Sequence, residues 1–236
     1  MKCWICNRAA NTGEHFLKHS DLKQQFGKVT QDRPIYRSID GRTGLKTQST
    51  NSIYLKSPSL ICNFCNNTRT QPHDQAWEKL SSYLHKNAES IREAQSIELR
   101  SVFGNKVGIS MLHVHLYFLK LFGDRIVTEN VPLKISQFSR SIMKNKAHKN
   151  IYISLNYLQS KHNKKYVGRD KINIISIGAY ASCVTWHYVV GAMAINIYHW
   201  ETDVWGELED HAWHPRNVGK TLVVKLTADK YREKAT

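Results

Sequence analysis

Residues 61–74 read ICNFCNNTRTQPHD, and how this stretch is read decides how the rest of the chain divides. Cys62 and Cys65 form one C-x-x-C knuckle, which alone is a redox pair, half of a metal site or chance. A second knuckle, Cys3 and Cys6, opens the chain, and the fifth cysteine, Cys183, stands apart in an apolar stretch. No basic and apolar leader precedes Cys3, so a cytoplasmic setting is expected. In a reducing compartment paired knuckles are read as metal ligands before disulfides. Two knuckles supply the four thiolates of a tetrahedral zinc site across a long excursion. Zinc on Cys3, Cys6, Cys62 and Cys65 is the expectation, and it makes residues 1–87 the first unit.

Between the knuckles, residues 17–60 are polar and basic, holding Lys18, Lys23, Lys28, Arg33, Arg37, Arg42, Lys46 and Lys56. A short helix near Ser20–Phe26 and a loop or hairpin are expected there. After Asn66 a short helical stretch runs to Gln71. Pro72 suits the first turn of a new helix, where a missing N–H costs nothing. Ala76, Trp77, Leu80, Tyr83 and Leu84 give that helix a core face.

The charge balance is strong: 34 Lys+Arg against 19 Asp+Glu, a formal net charge of +15. Such a field favours polyanions, nucleic acid first. The one long apolar run, Val107 to Phe122, carries His113, His115 and Lys120 and is too short to span a bilayer. No membrane partner is expected. Residues 88–127 read as helical throughout, and the apolar run as a helix buried in the middle of a domain. His113 and His115 are two apart, cannot share a helix face, and read as ordinary partly buried histidines.

From Lys134 to Lys171 ten basic residues (Lys134, Arg140, Lys144, Lys146, Lys149, Lys161, Lys164, Lys165, Arg169, Lys171) face a single acid, Asp170. Tyr152, Tyr157 and Tyr166 are interleaved, a composition suited to tracking a nucleic-acid backbone. The last 65 residues turn β-branched and aromatic in KINIISIG, CVTWHYVVGAMAINIYHW and TLVVKLTAD, which read as a small antiparallel sheet region. Trp186/His187, His199/Trp200 and His211/Trp213/His214 match no ligand spacing and read as strand packing.

Gly13-Glu14-His15 follows the first knuckle, and Asn66-Asn67-Thr68-Arg69 follows the second. The set C-x-x-C … E-H … C-x-x-C-N-x-x-R resembles the HNH (ββα-metal) endonuclease superfamily, closest to zinc-stapled members such as phage recombination endonucleases. The resemblance covers residues 1–80 at most. It implies a zinc-stapled ββα unit; with the central helical region and the C-terminal small antiparallel β-sheet region read from the residues above, the chain is expected to be α+β, with residues 88–236 binding or selecting substrate.

Carried over by position, the resemblance makes Glu14 and Asn66 ligands of a catalytic Mg²⁺ or Mn²⁺. His73, seven residues beyond Asn66, would be an accessory ligand or second proton carrier only if the helix ran through Pro72, where a break is expected. The resemblance makes His15 the general base, and Arg69 and Lys18 grips on phosphate. Many family members carry an Asn about five residues before the third cysteine; Ser57 occupies that offset here, so the brace for the base is unassigned. The chemistry is coherent. Phosphodiester hydrolysis needs a base, a Lewis acid and charge neutralisation, histidine titrates near neutrality, and zinc would act only as a staple. The implied activity is a DNA endonuclease of bacterial or phage setting, in phage defence or a mobile element. DNA would lie on residues 17–60 and 134–171, with a homodimer or other protein partners as further expectations. The rivals are a non-catalytic zinc-containing nucleic-acid-binding protein and an HNH-fold ribonuclease.

Overall fold

The computed structural model describes residues 1–39, 42–57, 61–159, 165–177, 180–200 and 212–227. Lys161, Lys164 and His211 lie outside the described residues. Helix α1 (His19–Phe26) begins just past the first knuckle unit and ends at Gly27, whose φ of 71° suits only glycine and whose N–H bonds back to the Lys23 carbonyl. Strands β1 (Ile35–Ile39) and β2 (Arg42–Thr47) then pair antiparallel as the expected hairpin.

After Cys62 the chain enters a π-helical turn, Phe64–Arg69, rather than an ordinary helix. It is followed by α2 (Gln71–Lys86), with Pro72 in the first turn as its missing N–H predicts. The buried face of α2 includes His73, Ala76, Trp77, Leu80, Ser81 and Leu84.

The stretch read as helical throughout is interrupted. Helix α3 (Ala88–Ala94) stops because Gln95 turns left-handed (φ 49°), and Ser96–Glu98 forms a short strand, β3, before α4 (Leu99–Phe103). Three residues are too few to show an alternating pattern, so the strand left no mark in the sequence. Helix α5 (Val107–Glu129) is the buried helix expected from the apolar run and closes at Asn130 in the left-handed conformation. Helix α6 (Ile135–Lys144) buries Phe138 and Ile142.

The sheet differs from expectation in size and direction. It contains β4 (Ile151–Leu158), β5 (Val167–Arg169), β6 (Asn173–Ile177), β7 (Tyr180–Val190), β8 (Met193–Trp200) and β9 (Thr221–Thr227) with β3. The seven strands run in the order β3-β9-β4-β8-β7-β5, with β6 on β7. All pairs are antiparallel except β4 with β9, which is parallel. Strand β4 comes from inside the basic stretch. Its own sequence, IYISLNYL, is uncharged, and the lysines flank it rather than enter it.

The boundary expected at residue 87 falls on Asn87, between α2 and α3. Even so, the two parts share one hydrophobic core, which runs from Cys3 and Ile61 through Trp77 and Phe118 to Trp186 and Val224. Trp77 stacks on Tyr117 of α5 (centroids 5.7 Å) and meets Tyr188 of β7 edge-on (6.1 Å). Beside it the buried carboxylate of Asp21 accepts hydrogen bonds from Trp77 Nε1 (2.9 Å), Ser81 Oγ (2.6 Å) and the Tyr188 hydroxyl (2.6 Å). One acid on α1 thereby ties α1, α2 and β7 together. No helix among the described residues is long and apolar enough to cross a membrane.

Candidate functional site

The site is built on a narrow ribbon. Residues 11–16 run antiparallel to residues 55–57 and Ile61, through isolated bridges at Thr12↔Ile61 and His15↔Lys56. The Ser57 N–H donates to the Glu14 carbonyl (2.7 Å) and the Phe16 N–H to the Leu55 carbonyl (2.9 Å). Gly13 is required here: a Cβ would lie 2.8 Å from the Ser57 carbonyl oxygen. The glycine before Glu14-His15 thus lets two backbones close on each other, after which the chain passes through Cys62 into the π-helical turn.

The two knuckles meet at the end of this ribbon. The sulfurs of Cys3, Cys6, Cys62 and Cys65 all lie within 4.8 Å of one another, a cluster that could hold a zinc ion. Cys6 Sγ and Cys62 Sγ are 3.5 Å apart, close to the ~3.8 Å edge of a tetrahedron with Zn–S bonds of about 2.3 Å. Arg69 Nη1 donates to Cys65 Sγ (3.0 Å) and Arg8 Nε to Cys6 Sγ (3.4 Å). Burial pushes the Cys6 thiol up, but the bonds from Arg8 and the neighbouring cysteines outweigh it and bring it to about 6. Donors of this kind orient and stabilise metal-bound thiolates. Arg69, expected at a phosphate, is therefore placed on the sulfur cluster.

His15 is half-buried, directly opposite Lys56 on the ribbon, where paired side chains share a face. Its Nε2 is buried with no hydrogen-bond partner. Burial, then the charges of Lys56, His19 and Lys18, lower its pKa to about 4, so the ring is neutral near pH 7. A neutral imidazole on a half-buried residue has the form of a general base. The ring of exposed His19, the first residue of α1, is centred 6.4 Å away.

Glu14 points the other way, as alternation along an extended segment demands. It is 7% exposed, and its Oε2 lies 3.2 Å from Lys120 Nζ in the middle of α5. That ammonium also reaches both Asp74 carboxylate oxygens (3.1 and 3.3 Å) and Thr70 Oγ1 (3.3 Å). Burial alone would strip a proton from Lys120; Glu14 and Asp74 outweigh it and hold the lysine charged. Lys18 Nζ is likewise engaged, at 3.1 Å from Asp74 and 3.1 Å from Glu78. Asn66 Nδ2 lies 3.4 Å from Thr12 Oγ1. Since Thr12 and Glu14 project to the same side, Asn66 and Glu14 flank one side of the ribbon and His15 the other.

His73 goes elsewhere. It is buried, with Nε2 3.3 Å from Asn145 Oδ1 and its ring centred 5.3 Å from that of His113. The helix restarts at Gln71, which turns Asp74 toward Lys120 and His73 toward α6.

The expected divalent site does not fit these side chains. The Glu14 carboxylate faces an ammonium already held by Asp74 and Thr70, and Asn66 presents its amide nitrogen, not its oxygen, to the ribbon. Motif spacing does not mark Lys120, Asp74 or Thr70 as members of this site. The available signal is Lys120 itself, the lone charge in the apolar run Val107 to Phe122, because a buried charge demands a partner.

The surrounding surface is basic. Lys23, Lys28, Arg33 and Lys46 on the excursion are exposed, as are Lys134, Arg140, Lys144, Lys146 and Lys149 at α6. Tyr36 and Tyr54 are 66% and 60% exposed, and the Arg37 guanidinium lies over the Tyr54 ring at 4.5 Å. No known protein family, curated protein or solved structure matches the chain.

Proposed function

We propose that the protein is a zinc-stapled nuclease, in which a nucleic-acid strand lies on the basic, aromatic surface and His15 acts as general base on a phosphodiester. The observation that carries this reading is the placement of His15. It sits half-buried on a glycine-gated ribbon leading into the four-cysteine cluster, neutral near pH 7 and facing Lys56. The ribbon followed by a helix, with Glu-His on its first segment and Asn66 at the start of the helical turn, supports the HNH-type resemblance. The cysteine cluster fits zinc by donor type and spacing. Zinc, when bound, would fix the ribbon to the π-helical turn, and Arg8 and Arg69 would stabilise its thiolates.

In this reading Lys56 neutralises the phosphate, since no acid pairs with it among the described residues. DNA is the substrate the resemblance implies. The test is cleavage of labelled DNA and RNA by the full chain and by His15→Ala. Removing a general base typically lowers the rate by about 10²–10⁴, with zinc content, fold and binding retained. A chain that binds nucleic acid and never cuts it would instead be a non-catalytic zinc-containing binding protein.

A further inference from the structure

We infer that the site cleaves RNA without a divalent cation, using the His15 and His19 imidazoles as a proton-transfer pair around a phosphate bound by Lys56. This rests on the nuclease reading and names its substrate class. Three placements lead to it. The first is Lys120, which takes up the carboxylate of Glu14 that would otherwise hold a hard cation. The second is the separation of the His15 and His19 rings, centred 6.4 Å apart. The third is Lys56, whose bridge to His15 sets an ammonium on the same face of the ribbon.

The chemistry then selects the substrate. DNA carries no internal nucleophile, so its hydrolysis needs an activated water, the task a bound cation ordinarily performs. RNA carries a 2′-hydroxyl next to every phosphorus. The His15 imidazole takes the 2′-OH proton as the 2′-oxygen forms a bond to phosphorus. The phosphorus–O5′ bond breaks, and protonated His19 gives its proton to the departing 5′-oxygen. The products are a 2′,3′-cyclic phosphate and a 5′-hydroxyl; one proton has left one oxygen and another has arrived at the second. In-line displacement puts the entering and leaving oxygens on opposite sides of phosphorus, so two carriers must flank a single phosphate. Two rings centred 6.4 Å apart would let each imidazole serve one of these oxygens. Lys56 would neutralise the charge that grows on the non-bridging oxygens. Exposed Tyr54 and Tyr36 suit such a substrate, because unpaired bases stack on aromatic faces.

The experiment uses the full zinc-loaded chain in EDTA, with zinc measured afterwards to show that the staple is retained. Substrates are an end-labelled single-stranded RNA, the same RNA with one 2′-deoxy residue at the cut position, and DNA of the same sequence. The expected result is cleavage of the RNA to a 2′,3′-cyclic phosphate end by mass, and none at the 2′-deoxy position or in DNA. His15→Ala and His19→Ala should each lose about 10²–10⁴ in rate while binding RNA as before. Cleavage that appears only with Mg²⁺ or Mn²⁺, or that treats DNA and RNA alike, overturns the inference and leaves the nuclease reading standing. Cleavage at the wild-type rate by His19→Ala overturns the two-histidine assignment. Failure to cut either nucleic acid under any metal condition removes the nuclease reading itself, and the inference with it.

Discussion

The ammonium of Lys120 lies 3.2 Å from the carboxylate of Glu14, with both groups buried and drawn from segments far apart in the chain. This pair, completed by Asp74 and Thr70, joins the ribbon, α2 and α5 at one point. Removing one partner leaves an uncompensated charge in the interior, which typically costs about 3–5 kcal/mol. Lys120→Met is therefore expected to lower unfolding free energy by that order in a urea titration. Adding Glu14→Gln should recover part of the loss, since the cycle of single and double variants isolates their coupling. Additive losses would show that the pair is spatial proximity and nothing more.

The cysteine cluster gives a prediction in metal content. One zinc per chain is expected in purified protein, and Cys62→Ser should abolish it. Ligand binding energy is folding energy at such sites, so the variant should lose protease resistance in residues 1–87 first. Arg69→Ala tests the neighbouring guanidinium, which donates to Cys65 Sγ at 3.0 Å. Loss of an outer partner commonly lowers metal affinity 10–100-fold, and competition with a chromogenic chelator would read it.

Acid should destabilise the protein through four buried histidines around α5, α6 and the sheet. His115 Nε2 accepts the His148 N–H (3.1 Å), His148 Nδ1 accepts the Asn150 N–H (3.3 Å), and His214 Nδ1 accepts the Arg216 N–H (3.1 Å). His199 packs 5.7 Å from the His148 ring. The charges nearest the cluster, Lys149 and Arg216, are positive and add to the effect. Burial first lowers His148 to about 3 and His199 to about 4, with His115 and His214 also lowered. A folded pKa below the unfolded one means the unfolded chain binds more protons, so stability is present above pH ~6.5 and is lost as pH falls toward 3–4. Each group contributes up to about 1.4 kcal/mol per pH unit inside that window. Unfolding free energies between pH 7 and 5 should fall steeply, and less steeply in His199→Gln. A flat profile would mean these rings are not neutral in the fold.

The exposed lysines after α6 should carry sequence-independent binding. Reversing Lys144, Lys146 and Lys149 to Glu is expected to weaken nucleic-acid affinity for all sequences. It should also reduce the salt slope, by roughly 0.7–0.9 for each phosphate that is no longer neutralised. An unchanged slope would move the binding surface to the excursion around Arg33 and Lys46.

What the sequence made legible follows from where the information is local. Each C-x-x-C knuckle, the helix opened by Pro72 and the buried run of α5 depend on spacing within a few residues. The partners of Glu14 do not, because Lys120 reaches it only through the packing of α5 against the ribbon. Arg69 stands one helical turn from Cys65, and the spacing that suits a side chain to a phosphate beside the turn equally aims it at the sulfur. The parallel pairing of β4 with β9 joins segments about seventy residues apart, a relation that alternation within either strand cannot express. His19 carries no signal of its own in the sequence, because its proximity to His15 depends on where α1 begins.

Gly13 gives the sharpest check on the ribbon itself. A Cβ at this position would stand 2.8 Å from the Ser57 carbonyl oxygen, and that neighbour is backbone, which cannot rotate aside. Gly13→Ala should push residues 11–16 away from residues 55–57 and weaken the bond from the Ser57 N–H to the Glu14 carbonyl. Overpacking of this kind typically costs about 1–3 kcal/mol. The same displacement moves His15 relative to Lys56, so cleavage should fall far more than stability does, with zinc content unchanged because the cysteines lie beyond the distorted stretch. The comparison variant is Gly108→Ala, at a position where a Cβ meets nothing within 4 Å; there both stability and cleavage should stay near wild type. Equal behaviour of the two alanine variants would mean that the ribbon is not closed at Gly13.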